Sequence, residues 1–236
     1  YKVDNIEDAK KLAFKNKIRI DITKLSTDNW VLSSNDSKDV LQKISKQMPL
    51  SKIGKCSYGI VSGADNIFIV NESIIESENL EKGSLLPLIR ANNCKRYDYA
   101  NYDLQIIYPF KYEDEATVLL SEEEFKSKYP NTFKYLLSKK KSLEERKDSR
   151  KTFEDSNKWY SLTRFGQLEN FQKTKIVFPG EQKVPKFSID NNQSGYSGAR
   201  VFGITLTDKK INLKYLLAFL NSKVMAFVIH SPFPVK

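Results

Sequence analysis

Apolar positions along the chain change period several times, and each change predicts an element. Residues 1–25 mix charges with scattered apolar positions, and 26–37 are polar apart from Trp30, Val31 and Leu32; both stretches read as a connector leading into Asp36. Val40, Leu41 and Ile44 then share one face of a short helix that Pro49 ends. Ser57–Val61 and Ile67–Val70 are strand-like runs flanking Ser62-Gly63-Ala64-Asp65-Asn66, a turn by composition, so the spacing predicts a hairpin. Leu85–Arg90 and Leu104–Tyr108 are further strands, separated by the polar run Asn92–Tyr97, and Pro109 stops the second.

In the second half, Ser121 followed by Glu124 is a capping box that starts a short helix breaking before Pro130. A longer helix is expected from Pro130 to Arg150, with Phe133, Leu136, Leu137 and Leu143 on one face. Its other face carries Lys139, Lys140, Lys141, Arg146, Lys147, Arg150 and Lys151. Lys175–Phe178, Lys186–Ile189 and Arg200–Ile204 read as strands. Asn212 caps a final helix whose stripe of Leu213, Leu216, Leu217, Leu220, Val224, Phe227 and Val228 is expected in the core. Helices and strands mix without regular βαβ alternation, so the fold class is α+β: a mixed or antiparallel twisted sheet with flanking helices.

Composition adds a partner class. The 236 residues carry 39 Lys and Arg against 29 Asp and Glu, a net charge of +10, which favours a polyanion such as nucleic acid. An AT-rich genome, with its Lys, Asn, Ile and Tyr codons, also yields such a chain, so charge raises the expectation only modestly. The cysteines Cys56 and Cys94 stand far apart without a CxxC partner, and His230 is the one histidine. These counts argue against a zinc site or a Ser-His-Asp triad, and for a reducing cytosol. No long uncharged apolar run suggests a membrane span. A chain starting at Tyr1 reads as a piece of a longer protein.

The nucleotide-binding loops GxGxxG and GxxxxGK[ST] are absent. One catalytic alternative is a metal-dependent nuclease using Glu181 and Lys183, with Asp155 or Glu169 as the upstream acid. Gly180 just before the pair makes a hairpin turn the simpler account.

The order of segments carries a resemblance. Trp30–Ser33, Leu50–Gly54 and Tyr58–Val70 are similar to the G-I-x-T-G-x-N-x-A-F segment of type IIG restriction–modification enzymes, and Leu86–Tyr97 to their P-x-I-R-G-x-D-I-x-R-Y segment. Tyr129–Leu136 with Leu143–Arg146 resembles their Y-P-x-x-x-x-Y-L … L-x-x-R helix. Lys158–Leu162, Lys175–Pro179 and Tyr215–Ser222 match W-Y-x-L, K-I-x-x-P and Y-L-L-A-L-L-N-S. Together, from Trp30 to Val228, they resemble the TaqI-like C-terminal specificity domain of N6-adenine DNA methyltransferases. Ala64, Ile67 and Asn92-Asn93-Cys94 depart from the family pattern, where target sequence can differ.

The resemblance implies a sequence-specific double-stranded DNA-binding domain without catalytic residues, metal or cofactor of its own, in a cytoplasmic protein. Residues 1–48 would be a connector and short helix from the absent catalytic domain, and 49–236 the target-recognition domain. S-adenosylmethionine and the flipped adenine would belong to the methyltransferase domain of the full-length protein, since this chain has no adjacent prolines for the Asp/Asn-Pro-Pro-aromatic motif. Arg pairs bidentately with guanine, and Asn or Gln with adenine, while Lys holds phosphate. The expected contacts are therefore Lys52, Lys55, Tyr58, Ser62 and Asn66 around one strand and turn, and Arg90, Asn92, Asn93, Lys95, Arg96 and Tyr97 in one dense run. Lys158, Tyr160 and Arg164 would brace the backbone, with Trp159 read as core, and Arg200 would reach phosphate from the glycine-rich loop Ser194–Arg200. An RNA-binding or protein-interaction module is the other alternative.

Overall fold

The structure, a computed structural model, describes residues 5–15, 17, 35–148, 151–152, 157–198 and 200–230. Trp30–Leu32, Arg150 and Asp155 lie outside these, as do the side chains of Lys147, Lys151 and His230. The chain divides into two compact units, Tyr1–Pro49 with Phe227–Lys236, and Leu50–Ala226. The first contains helices α1 (Ile6–Lys15) and α2 (Asn35–Ser45). On α2, Leu41 is buried and Val40 exposed.

The second unit holds two four-stranded sheets. In the first, β1 (Gly54–Tyr58), β12 (Val201–Leu206), β9 (Lys175–Pro179) and β10 (Ser188–Asp190) lie side by side, all antiparallel. In the second, the order is β11 (Gly195–Tyr196), β3 (Leu85–Ile89), β4 (Leu104–Ile107) and β2 (Ile69–Val70), with β11 and β3 parallel. A hairpin of β5 (Phe110–Glu113) and β6 (Ala116–Leu119) and a short pair of β7 (Lys147–Asp148) and β8 (Lys151–Thr152) complete the strands described. The helices are α3 (Asp65–Phe68), α4 (Glu72–Ser77), α5 (Glu122–Lys128), α6 (Pro130–Leu137), α7 (Lys140–Glu144), α8 (Leu168–Gln172), α9 (Leu213–Leu220) and α10 (Lys223–His230). The fold is α+β with mixed and antiparallel sheets.

Local signals hold where they rest on caps. The Ser121 hydroxyl accepts from Glu124 N at the start of α5, and Asn212 accepts from Lys214 N at the start of α9. Three expectations fail for tertiary reasons. The hairpin at 57–70 does not form: β1 belongs to the first sheet, Ile60 and Val61 bridge to Ser197 and Arg164, and Asp65–Phe68 is a helical turn. The helix expected over 130–150 breaks at Ser138, whose hydroxyl donates to Tyr135 O, and Arg146 turns inward instead of lying on the basic face; Leu137 is exposed. The C-terminal helix breaks at Asn221-Ser222, where Ser222 Oγ accepts from Met225 N and restarts α10. That break leaves Val224 and Phe227 exposed, not in the core stripe.

Gly59 explains the lost hairpin. Here the chain leaves the first sheet and passes the end of β11 so closely that a Cβ at Gly59 would sit 1.9 Å from Tyr196 O. Ile60 N donates to Tyr196 O at 2.7 Å and Gly198 N to Ile60 O at 2.6 Å, fixing the crossing. Gly59→Ala pushes backbone against backbone and is expected to destabilise by on the order of 3 kcal/mol. At 2–4 °C per kcal/mol that is a fall in Tm of roughly 6–12 °C, measured by thermal unfolding; an unchanged Tm would show that the crossing can widen.

Candidate nucleic-acid interface

The crossing decides which loops meet. Tyr196 pairs in parallel with Ile89, Ser197 N donates to Ile89 O at 3.0 Å, and Ile60 runs parallel to Ser197. Val61 exchanges two hydrogen bonds with Arg164, of 2.8 and 2.9 Å. Parallel runs leave a sheet at the same edge. Arg90 following Ile89, Ser62–Asn66 following Val61, and the loop from Ser197 to Arg200 therefore all start from one edge. Asp65, Asn66, Asn71 and Arg90 line a depression of about 300 Å³, with Ile69, Ile74 and Leu104 completing its walls. Asn66 and Arg90, from loops far apart in sequence, thus share one concave surface. Asp65 and Asn71 join them unforeseen; Asp65 stands beside Asn66, and Asn71 draws notice in sequence only as a helix cap.

Burial sorts the remaining expected contacts. Lys52, Lys55, Tyr58, Asn92, Lys95, Lys158, Arg164 and Arg200 are exposed. Tyr160 is a correction: it is 2% exposed, its hydroxyl donates to Leu120 O, and its ring stacks on Phe125, so it braces the core and not a DNA backbone. Burial pushes its phenol up to about 12. Trp159 is likewise buried, as read from the sequence. Ser62 is also withdrawn, since its hydroxyl donates to the Asp65 carboxylate and accepts from Ala64 N, fixing the turn from inside. Asn93 is buried too, accepting from Arg90 N at 2.8 Å and donating to Asp103 at 3.1 Å. It shapes the loop that presents Arg90 and Asn92, and has no edge left for a base.

Arg96 and Tyr97 hold structure as well. Arg96 donates through Nε and Nη2 to Asn221 O, and the Tyr97 hydroxyl donates to the same oxygen at 2.8 Å. That carbonyl closes α9, where a cation meets the negative end of the helix. Asn221 is fully buried and pairs its side chain with both backbone groups of Phe187. Sequence reasoning missed Asn221 and the buried Arg146 as anchors, although both lie in segments that carry the resemblance. Of the residues of the nuclease alternative, Glu181 and Lys183 are exposed in the β9–β10 connection, and Glu169 is paired with Lys173. Among the described residues no group of His, Cys, Asp or Glu is placed to hold a metal, and no helix is long and apolar enough to cross a membrane.

Residues 105–235 match the model of the TaqI-like C-terminal specificity domain. The type II methyltransferase M.MjaIV of Methanocaldococcus jannaschii is 32% identical over 179 residues, which cover 73% of this chain and 56% of that protein. The type II restriction enzyme and methyltransferase RM.Eco57I of Escherichia coli is 26% identical over 221 residues, 84% of this chain and 22% of that protein. The chain therefore spans about half the length of the first relative and about a fifth of the second. Among solved structures, the type IIL restriction–modification enzyme MmeI in complex with DNA superposes with a TM-score of 0.49 at 10% identity, over 75% of this chain and 22% of that one.

The geometry separates two arginines six residues apart. Arg96→Ala removes charge-assisted bonds to the α9 terminus and is expected to cost about 1–2 kcal/mol of stability. Arg90→Ala removes an exposed side chain and leaves Tm within about 1 °C. Thermal melts of both variants check this; equal losses would mean that Arg96 is no anchor.

Proposed function

The chain belongs to the TaqI-like C-terminal specificity domain family, and from that premise we propose that it binds double-stranded DNA sequence-specifically, as the target-reading part of a restriction–modification methyltransferase. The observation that carries this reading is the shared depression in which Asn66 and Arg90 meet. Arg90 presents a fork of N–H donors suited to guanine O6 and N7, and Asn66, with Asn92 nearby in the loop, presents the donor and acceptor that adenine requires. Lys52, Lys55, Lys95, Lys158, Arg164 and Arg200 supply phosphate contacts, which fix the register without selecting sequence. The parent protein, by this reading, is an adenine-specific type IIG enzyme of the cytoplasm. Methyl transfer from S-adenosylmethionine takes place in a methyltransferase domain outside this chain, and this chain's residues orient the duplex against it.

Selection from a randomised duplex library tests the reading directly. An enriched motif is expected; no enrichment would overturn sequence-specific binding. Affinity should fall steeply with salt, by about 0.9 in log K per phosphate contact per log unit of salt, and should not favour RNA. Arg90→Ala is expected to cost about 1–3 kcal/mol on the enriched sequence and to relax it at one position. Lys140→Ala should leave the motif unchanged, because Lys140 lies over the Trp159 ring and pairs with Glu144 on its own helix. A motif altered by Lys140→Ala and untouched by Arg90→Ala would place specificity on the helix instead.

A further inference from the structure

One face of the first sheet carries a row of aromatic rings that ends in Tyr58, one of the exposed residues expected at DNA. Tyr58, Phe202 and Phe178 are paired in register across β1, β12 and β9, so their side chains share a face. Phe178 stacks on Phe202 at 5.6 Å and 27°, and Tyr58 meets Phe202 edge-on at 5.4 Å. The row is half-buried at its inner end, where Phe178 packs on buried Phe187, and opens at its outer end, where Tyr58 is 74% exposed. A single exposed tyrosine is ordinary; an exposed tyrosine at the end of a cross-strand aromatic row, in a chain of net charge +10, is a surface suited to a planar, anionic ligand.

The next rung of the ladder strengthens this. Gly180 N donates to Arg200 O at 2.9 Å, one step beyond the β9–β12 pairing, so the exposed Arg200 stands two residues before Phe202 in the chain. At Gly180 a Cβ would lie 2.5 Å from the Phe202 ring, so only glycine lets that ring lie flat over the backbone. The connection that starts there carries Lys183 and Lys186 against Glu181, all exposed. Ring faces stack with bases of any identity, but a base within a duplex has no open face, so the matching ligand is a base out of the stack.

We propose that Tyr58, backed by Phe202 and Phe178 and flanked by Arg200, is a stacking platform for an unpaired DNA base. The proposal rests on the DNA-binding reading above for the kind of ligand, and on the aromatic row for the unpaired base. The platform holds the base face and Arg200 the adjoining phosphate, while base edges are read elsewhere, in the depression at Arg90 and Asn66.

The test uses the full chain and two labelled duplexes identical except that one carries a single extra, bulged adenine. Fluorescence anisotropy is expected to show the bulged duplex bound on the order of 5- to 100-fold more tightly, the fold-change of one stacking contact. Tyr58→Ala should cost the bulged duplex more affinity than the paired one and so abolish that preference, and Tyr58→Phe should keep it. Folding is not at stake, because the Tyr58 side chain is largely in solvent. Arg200→Ala should weaken both duplexes. Binding of the paired duplex without preference for the bulge would overturn the platform alone, as would a Tyr58→Ala variant that keeps the preference or weakens both duplexes equally. Tighter binding of the corresponding RNA would overturn DNA as the ligand, and failure to bind either duplex would overturn the platform and the DNA-binding reading together.

Discussion

The edge from which the loops at Ser62 and Arg90 start depends on a guanidinium that is itself buried. Arg146 is 7% exposed. Its Nε donates to Leu143 O at 2.7 Å, Nη1 to Ser62 O and Ser161 O at 2.8 and 3.1 Å, and Nη2 to Trp159 O and Ser161 O at 2.6 and 3.1 Å. The group also lies over the Phe68 ring at 5.2 Å. Burial pushes its pKa down to about 10, which still leaves it charged at neutral pH. A charge placed there without acceptors would cost several kcal/mol, and a lysine lacks the planar fork that spans carbonyls in separate segments. Arg146 thereby joins the end of α7, the turn that begins at Ser62 and the run from Trp159 to Ser161.

A second buried cation performs the same task around β9 and β10. Lys175 and Asp190, both without solvent exposure, form an ion pair between β9 and β10, and Lys175 Nζ also donates to Phe171 O at 2.7 Å. Asp190 accepts from Ser194 N, the Ser194 hydroxyl and Asn192 N, at 3.1, 3.1 and 2.9 Å. The chain is thus delivered from β10 into β11, where Tyr196 meets Ile89 and sends its hydroxyl back to Ser57 in the first sheet. Loops held by satisfied polar anchors have little entropy left to lose when they meet a ligand.

These anchors also explain why charge composition is a poor guide to contact. Arg90, Arg96 and Arg146 are chemically equal in the sequence, but one lines the open depression, one clasps a helix terminus and one is buried among carbonyls. What separates them is the supply of nearby carbonyl oxygens. Where a helix end or a turn leaves acceptors without partners, a basic side chain of the protein takes them.

The sequence by itself determined whatever depends on neighbours a few residues apart. The caps at Ser121 and Asn212, the strands β3, β4, β9 and β12, the α+β class and the family resemblance were legible because local hydrogen bonding and apolar period specify them. Tertiary structure decided the rest. Ser57–Val61 reads as one arm of a hairpin until Tyr196, 137 residues after Gly59 in the chain, arrives to be crossed. Tyr160, Asn93 and Ser62 read as contacts until packing encloses them, and only the tertiary structure ties the exposed Arg96 and Tyr97 to the α9 terminus. The pairing of Asn66 with Arg90 in one depression has no local cause at all: it follows from parallel strand ends emerging together, and register between distant strands is set by the closure of the whole core.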